Sequence, residues 1–176
     1  GVQSAYDANN LYVRLTFKAP AGGFDHSDKD NEVKATVMFP NDKVTMGDQV
    51  GCWAACHKDV RTMPGGDDKK TKYVTAGAMD LMQWTSSGKT IDGSVTDKRN
   101  MEGGKAGVTA EGSKSGDTYT VTFTRKLAGG VNLAPGKAVP FGVAVHADHA
   151  GGRFHHVSFG HTIGLGADGD VKATKQ

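Results

Sequence analysis

Apolar residues recur at every second position in several short stretches of the chain. From Leu11 to Phe17 the order Leu-Tyr-Val-Arg-Leu-Thr-Phe sends Leu11, Val13, Leu15 and Phe17 to one side and Tyr12, Arg14 and Thr16 to the other. That is the period of a half-buried strand. A short strand is already under way at Gly1-Val2-Gln3, and Ala5 to Asn10 reads as the turn after it, so the natural chain is expected to extend upstream. Val33 to Phe39 predicts another strand, ended by Pro40 and Asn41. Alternation returns at Thr118 to Leu127, where Tyr119, Val121 and Phe123 interleave with threonines, then at Val139 to Val145 and at Arg153 to Leu165.

Between these stretches the periodicity dissolves. Asp42 to Asp80 has no regular pattern, and a loop of that length inside a compact domain is functional or disordered. Met79 to Trp84 is a short apolar segment, followed by a polar stretch rich in Gly, Ser, Thr, Asp and Lys that reads as surface loop. Five or six strands without an amphipathic helix predict a mainly β fold, an antiparallel β-sandwich with long loops. A chain of 176 residues fits one such domain, spanning 1–176.

Composition narrows the function. Apolar residues make up 37% and aromatics 7%, while 25 glycines are about double the average usage, so the side-chain core is expected to be thin. The net charge of +2 gives no field for nucleic acid or acidic lipid, and no apolar run is long enough to span a bilayer.

The cysteines carry the chemistry. There are two, Cys52 and Cys56, in the run Cys52-Trp53-Ala54-Ala55-Cys56-His57. A covalently held haem needs two thiols to add across its vinyl groups and a histidine beside the second to reach the iron; C-x-x-C-H is the usual signature. Here the spacer is one residue longer. A local disulfide fits less well, because helical i,i+4 positions hold Cβ atoms about 5–6 Å apart against the usual ~3.8 Å. Zinc would need a fourth ligand, which another histidine can supply.

Haem would leave the far side of the iron open to His26, His146, His149, His155, His156 or His161, or to Met46 or Met63, since thioether sulfur is a familiar axial ligand. If Arg153 to Leu165 is one strand, His155, Val157, Phe159, His161, Ile163 and Leu165 share a face, which puts His155 and His161 on the apolar side. His146, His149 and His156 read as surface or supporting groups, and Met38, Met79 and Met82 as core. Trp53, Phe154 and Phe159 are candidates to pack on a porphyrin, with ordinary core packing the competing reading for the two phenylalanines. Arg61 and Arg153 are candidates to pair with haem propionates, with a solvated surface position the default.

Ala5-Tyr6-Asp7, Leu11 to Leu15, Val37-Met38-Phe39-Pro40, Met46-Gly47, Met79 to Trp84, Phe141 to Val145 and His155-His156-Val157-Ser158 together resemble the haem-binding domain of ethylbenzene dehydrogenase γ subunits, in the superfamily of haem-binding subunits of the DMSO reductase family. The resemblance implies a β-sandwich that holds one haem at its edge and passes electrons in the bacterial periplasm. The γ subunits hold haem b without covalent bonds, through a methionine and a lysine; Met46 falls where that methionine is expected and His155 near the lysine. The inserted segment from Cys52 to Met63 departs from them and is similar to the c-type branch, often joined to multihaem, membrane-anchored cytochromes.

The expectation is therefore a periplasmic electron-transfer cytochrome domain, not an enzyme, with one covalent haem c on a short helical attachment segment. Cys52 and Cys56 hold it, His57 is the near ligand and His155 the far one, with Met63, His161 and Met46 as ordered alternatives. Its partners would be redox proteins or an adjacent multihaem domain of a longer parent cytochrome, with no nucleic acid and a membrane only through an upstream anchor. A haem-based gas sensor and a zinc-stabilised or otherwise haem-free binding sandwich are the competing readings.

Overall fold

The computed structural model describes residues 1–18, 33–44, 47–49, 78–96, 99–146 and 156–176. Among these described residues thirteen strands run in the order β1 (Val2–Tyr6), β2 (Asn10–Lys18), β3 (Lys34–Pro40), β4 (Met79–Thr85), β5 (Thr90–Val95), β6 (Arg99–Asn100), β7 (Thr109–Ser115), β8 (Thr118–Lys126), β9 (Lys137–His146), β10 (His156–Val157), β11 (His161–Leu165), β12 (Val171–Lys172) and β13 (Thr174–Lys175). They form two sheets, one of five strands in the order β13-β1-β2-β8-β7 and one of eight in the order β12-β11-β9-β3-β4-β5-β6, with β10 also on β9. The expected sandwich is present. Its pairings are antiparallel except at two edges, where β13 joins β1 and β12 joins β11 in parallel.

The core between the sheets follows from the alternation. Leu11, Val13 and Leu15 of β2 face inward beside Val121 and Phe123 of β8, with Val13 opposite Phe123 and Leu15 opposite Val121. From the larger sheet come Ala35, Val37 and Phe39 of β3, Met82 and Trp84 of β4, and Val139 and Phe141 of β9. The two sheets also meet at the β4–β7 flank. A Cβ at Gly112 of β7 would collide with the indole of Trp84, so only glycine lets the edge strand close over that ring.

Three sequence expectations need correction. Residues beyond Trp84 are not mainly surface loop, since they contain β5, β6 and β7. β7 reads Thr-Ala-Glu-Gly-Ser-Lys-Ser and is exposed along most of its length, so an edge strand of this kind carries no hydrophobic period to detect. The first strand continues to Tyr6, and the turn lies at Asp7–Asn10, where the Asp7 carboxylate accepts the N–H groups of Asn9 and Asn10 at 2.7 Å each and the Tyr12 hydroxyl at 2.6 Å.

The third correction concerns Arg153 to Leu165, whose described part is two strands. Val157 pairs with Ala144 and His161 with Phe141, so residues 158–160 oppose only Gly142 and Val143. That extra residue is a β-bulge, and one extra residue reverses every side chain after it. Val157 packs on the outer face of the larger sheet, whereas Ile163 and Leu165 pack into the core between the sheets. Val157 and His161 therefore do not share a face.

Candidate functional site

β3 and β4 leave the middle of the larger sheet as hydrogen-bonded neighbours, with Pro40 opposite Met79. Just beyond them the Asn41 N–H donates to the Ala78 carbonyl at 2.9 Å. Both ends of the connection that carries the cysteines are thus held at one point. Its first turn is capped by Asn41, whose side-chain oxygen accepts the Lys43 N–H at 3.1 Å and whose carbonyl accepts the Val44 N–H at 3.1 Å. Gly47 lies against Pro40, where a Cβ would stand 2.9 Å from the proline Cβ.

Residues 47–49 are helical, and the Gln49 carbonyl accepts the Gly160 N–H at 2.9 Å. A Cβ at Gly160 would collide with the Asp48 carbonyl, which is why the bulge carries glycine there. The bulge is thus the place where the start of the cysteine connection meets the sheet. It is also braced from below: the Ser158 N–H donates to the Val143 carbonyl at 2.8 Å, and the Val143 N–H donates to the Ser158 hydroxyl at 2.9 Å.

The outer face of the larger sheet is apolar here. Met38, Met79, Leu81, Val95 and Ala144 form a second buried cluster with Val44, and Met101 and Val157 pack against it. Met38, Met79 and Met82 are core residues as expected, Met82 on the inner side and the other two on the outer. Met101, which has no evident task in the sequence, helps to cover the outer cluster. Further along that face Gln83 donates to the Thr36 hydroxyl at 2.9 Å, which satisfies two buried polar side chains.

Cys52, Cys56, His57, Met46, Met63 and His155 lie outside the described residues, as do His26, His149, Trp53, Phe154, Arg61 and Arg153. Of the other candidates, His156 is exposed and His146 half-buried at the end of β9. His161 is half-exposed, with its ring 6.1 Å from Phe141 and its Nδ1 3.8 Å from an Asp170 oxygen. The Asp170 carboxyl is held below its ordinary range, first by the Thr162 N–H, then by the Thr162 hydroxyl, with His161 a smaller contributor. Among the described residues no group of three or more His, Cys, Asp or Glu is placed to hold a metal ion, and no helix is long and apolar enough to cross a membrane.

Phe159 is 70% exposed, so core packing does not account for it. Sequence reasoning also missed a buried ion pair. Arg125 of β8 donates from Nη1 to Asp80 of β4 at 2.7 Å, with side-chain exposures of 0% and 7%. Its remaining donors reach the carbonyls of Lys126, Gly129 and Val131, and the Val131 N–H donates to Asp80. Burial raises the Asp80 carboxyl and lowers the Arg125 guanidinium, and their mutual attraction opposes both shifts. The signal was legible: Arg125 continues the inward phase of Tyr119, Val121 and Phe123, and Asp80 interrupts an apolar run.

A sequence model described as Ethylbenzene dehydrogenase matches residues 1–114, from β1 into β7 and across the cysteine connection. The chain belongs to the ethylbenzene dehydrogenase family. Within reach of the family by sequence, cytochrome c-552 of Stutzerimonas stutzeri is 50% identical over 187 residues, which cover 99% of this chain and 64% of that protein. Cytochrome c-551 of Rhodocyclus tenuis is 49% identical over 176 residues, covering 99% of this chain and 68% of its own. The chain thus spans just under two thirds of the first and just over two thirds of the second. The resemblance read from short motifs holds at the level of the family, and both relatives are named cytochromes c.

Proposed function

We propose that the chain is an electron-transfer cytochrome domain of the bacterial periplasm with one covalently attached haem c. Cys52 and Cys56 are its thioether anchors, His57 the near ligand and His155 the far ligand, with Met63, His161 and Met46 as ordered alternatives for that position. The carrying observation is the set Cys52, Cys56 and His57 in a chain about half identical to two proteins named cytochromes c. Two thiols and an adjacent imidazole are the donors such a haem requires. The apolar outer face of the larger sheet and the anchored ends of the cysteine connection fit a bulky apolar group on that side.

The haem supplies one-electron transfer, and the protein contributes ligand choice, burial and hydrogen bonds that tune the potential. Two imidazole ligands leave no open position on the iron, so the reading is a carrier rather than a gas sensor. Partners are redox proteins or an adjacent multihaem domain, with any membrane attachment through an upstream anchor. The test is the denaturing mass of the purified protein with its pyridine haemochrome spectrum. One haem added to the polypeptide mass, lost in Cys52→Ser with Cys56→Ser, is the expected result; a bare polypeptide mass sinks the proposal. Adding CO to the reduced protein leaves a carrier's spectrum unchanged and shifts that of a sensor.

A further inference from the structure

Phe159 combines a fixed backbone with an uncovered ring. On one side Ser158 is bonded twice to Val143, and on the other Gly160 is bonded to Gln49. The bulge holds Phe159 between these anchors, and at 70% exposure it is the one large hydrophobic side chain left exposed among the described residues. Neighbouring Val157 is half-buried against the apolar outer cluster, so the chain passes from partly covered to uncovered within two residues. Gln49, hydrogen-bonded to the very next residue, stands three positions before Cys52, a reach of at most about 10 Å of extended chain.

We infer that Phe159 packs against the haem, as an aromatic wall presented by the bulge where the start of the cysteine connection meets the sheet. The inference rests on the covalent-haem reading and adds a residue to it. An apolar ring pinned where the cysteine connection meets the sheet is the surface a bulky apolar group attached nearby would cover. Covering it would also keep water from that part of the porphyrin, and solvent access is one of the levers a protein has on a haem potential.

The test compares the haem-loaded wild type with Phe159→Ser and Phe159→Leu, using Soret circular dichroism and the midpoint potential. Water reaching the iron's surroundings favours the more highly charged ferric form. Phe159→Ser should therefore lower the midpoint potential and alter the Soret dichroism, and Phe159→Leu should restore most of the potential. Unchanged potential and dichroism in variants whose mass still includes the haem would overturn the inference and leave the covalent reading standing. Slower reduction by a redox partner with both signals unchanged would also overturn it, making Phe159 a docking residue. A wild type without haem would sink both readings.

Discussion

The two sheets of the sandwich treat their outer faces differently. On the five-stranded sheet that face is polar: Tyr12, Arg14 and Thr16 of β2 lie beside Thr120, Thr122 and Thr124 of β8, and every second residue of these strands is open to water at least in part. On the eight-stranded sheet β3 is buried at Ala35 to Pro40 and β4 along its whole length, because Met38, Met79 and Leu81 have cover on the side away from the core. An antiparallel sheet normally packs one face and wets the other. The double burial falls on the strands from which the cysteine connection departs, so the larger sheet is both half of the sandwich and the floor of a second apolar layer.

The largest effect is expected where the two sheets are joined by charge. Arg125→Met leaves the Asp80 carboxylate buried without its cation, at a cost of about 3–5 kcal/mol, read as a fall in denaturation midpoint at unchanged m. Replacing both partners by apolar residues should recover most of the loss.

Next comes a direct contrast of the outer faces. Leu81→Ala removes buried methyl groups from the larger sheet's outer cluster and should cost roughly 2–4 kcal/mol, whereas Thr122→Ala on the smaller sheet should stay within about 0.5 kcal/mol. Equal effects would remove the distinction between the faces. The smallest effect belongs to the β1–β2 turn. Hydrogen bonds from Tyr12 and from the Asn9 and Asn10 N–H groups hold the Asp7 carboxyl down at about 2, against 3.8 for the ordinary group. A carboxyl more acidic in the folded state adds stability that is present above the unfolded value and is lost as pH falls from 3.8 toward about 2. Asp7→Asn should flatten that part of the stability–pH curve.

Strands that bury one face were legible in the sequence. Leu11 to Phe17 and Tyr119 to Phe123 alternate because one side of each meets the core and the other meets water. β7 was not, since an exposed edge strand leaves no such trace, and the bulge was not, since a glycine in a strand does not announce which way the next side chain turns. The one-face reading of Val157 and His161 failed for that reason alone. The spacing of Cys52, Cys56 and His57 is a feature of the sequence alone and carries a proposal, whereas the exposure of Phe159 comes from tertiary placement that a linear pattern does not encode.

The stem formed by Pro40 and Met79, closed by the Asn41–Ala78 hydrogen bond, makes the cysteine connection an interchangeable cassette. Its ends meet on adjacent paired strands, so beyond the Val44 and Gln49 contacts the sandwich closes around the same two points. Doubling the length of such a loop adds only about 0.6 kcal/mol of closure entropy. A scaffold of this kind can take a longer loop or a shorter one without redesigning the sheets beneath it.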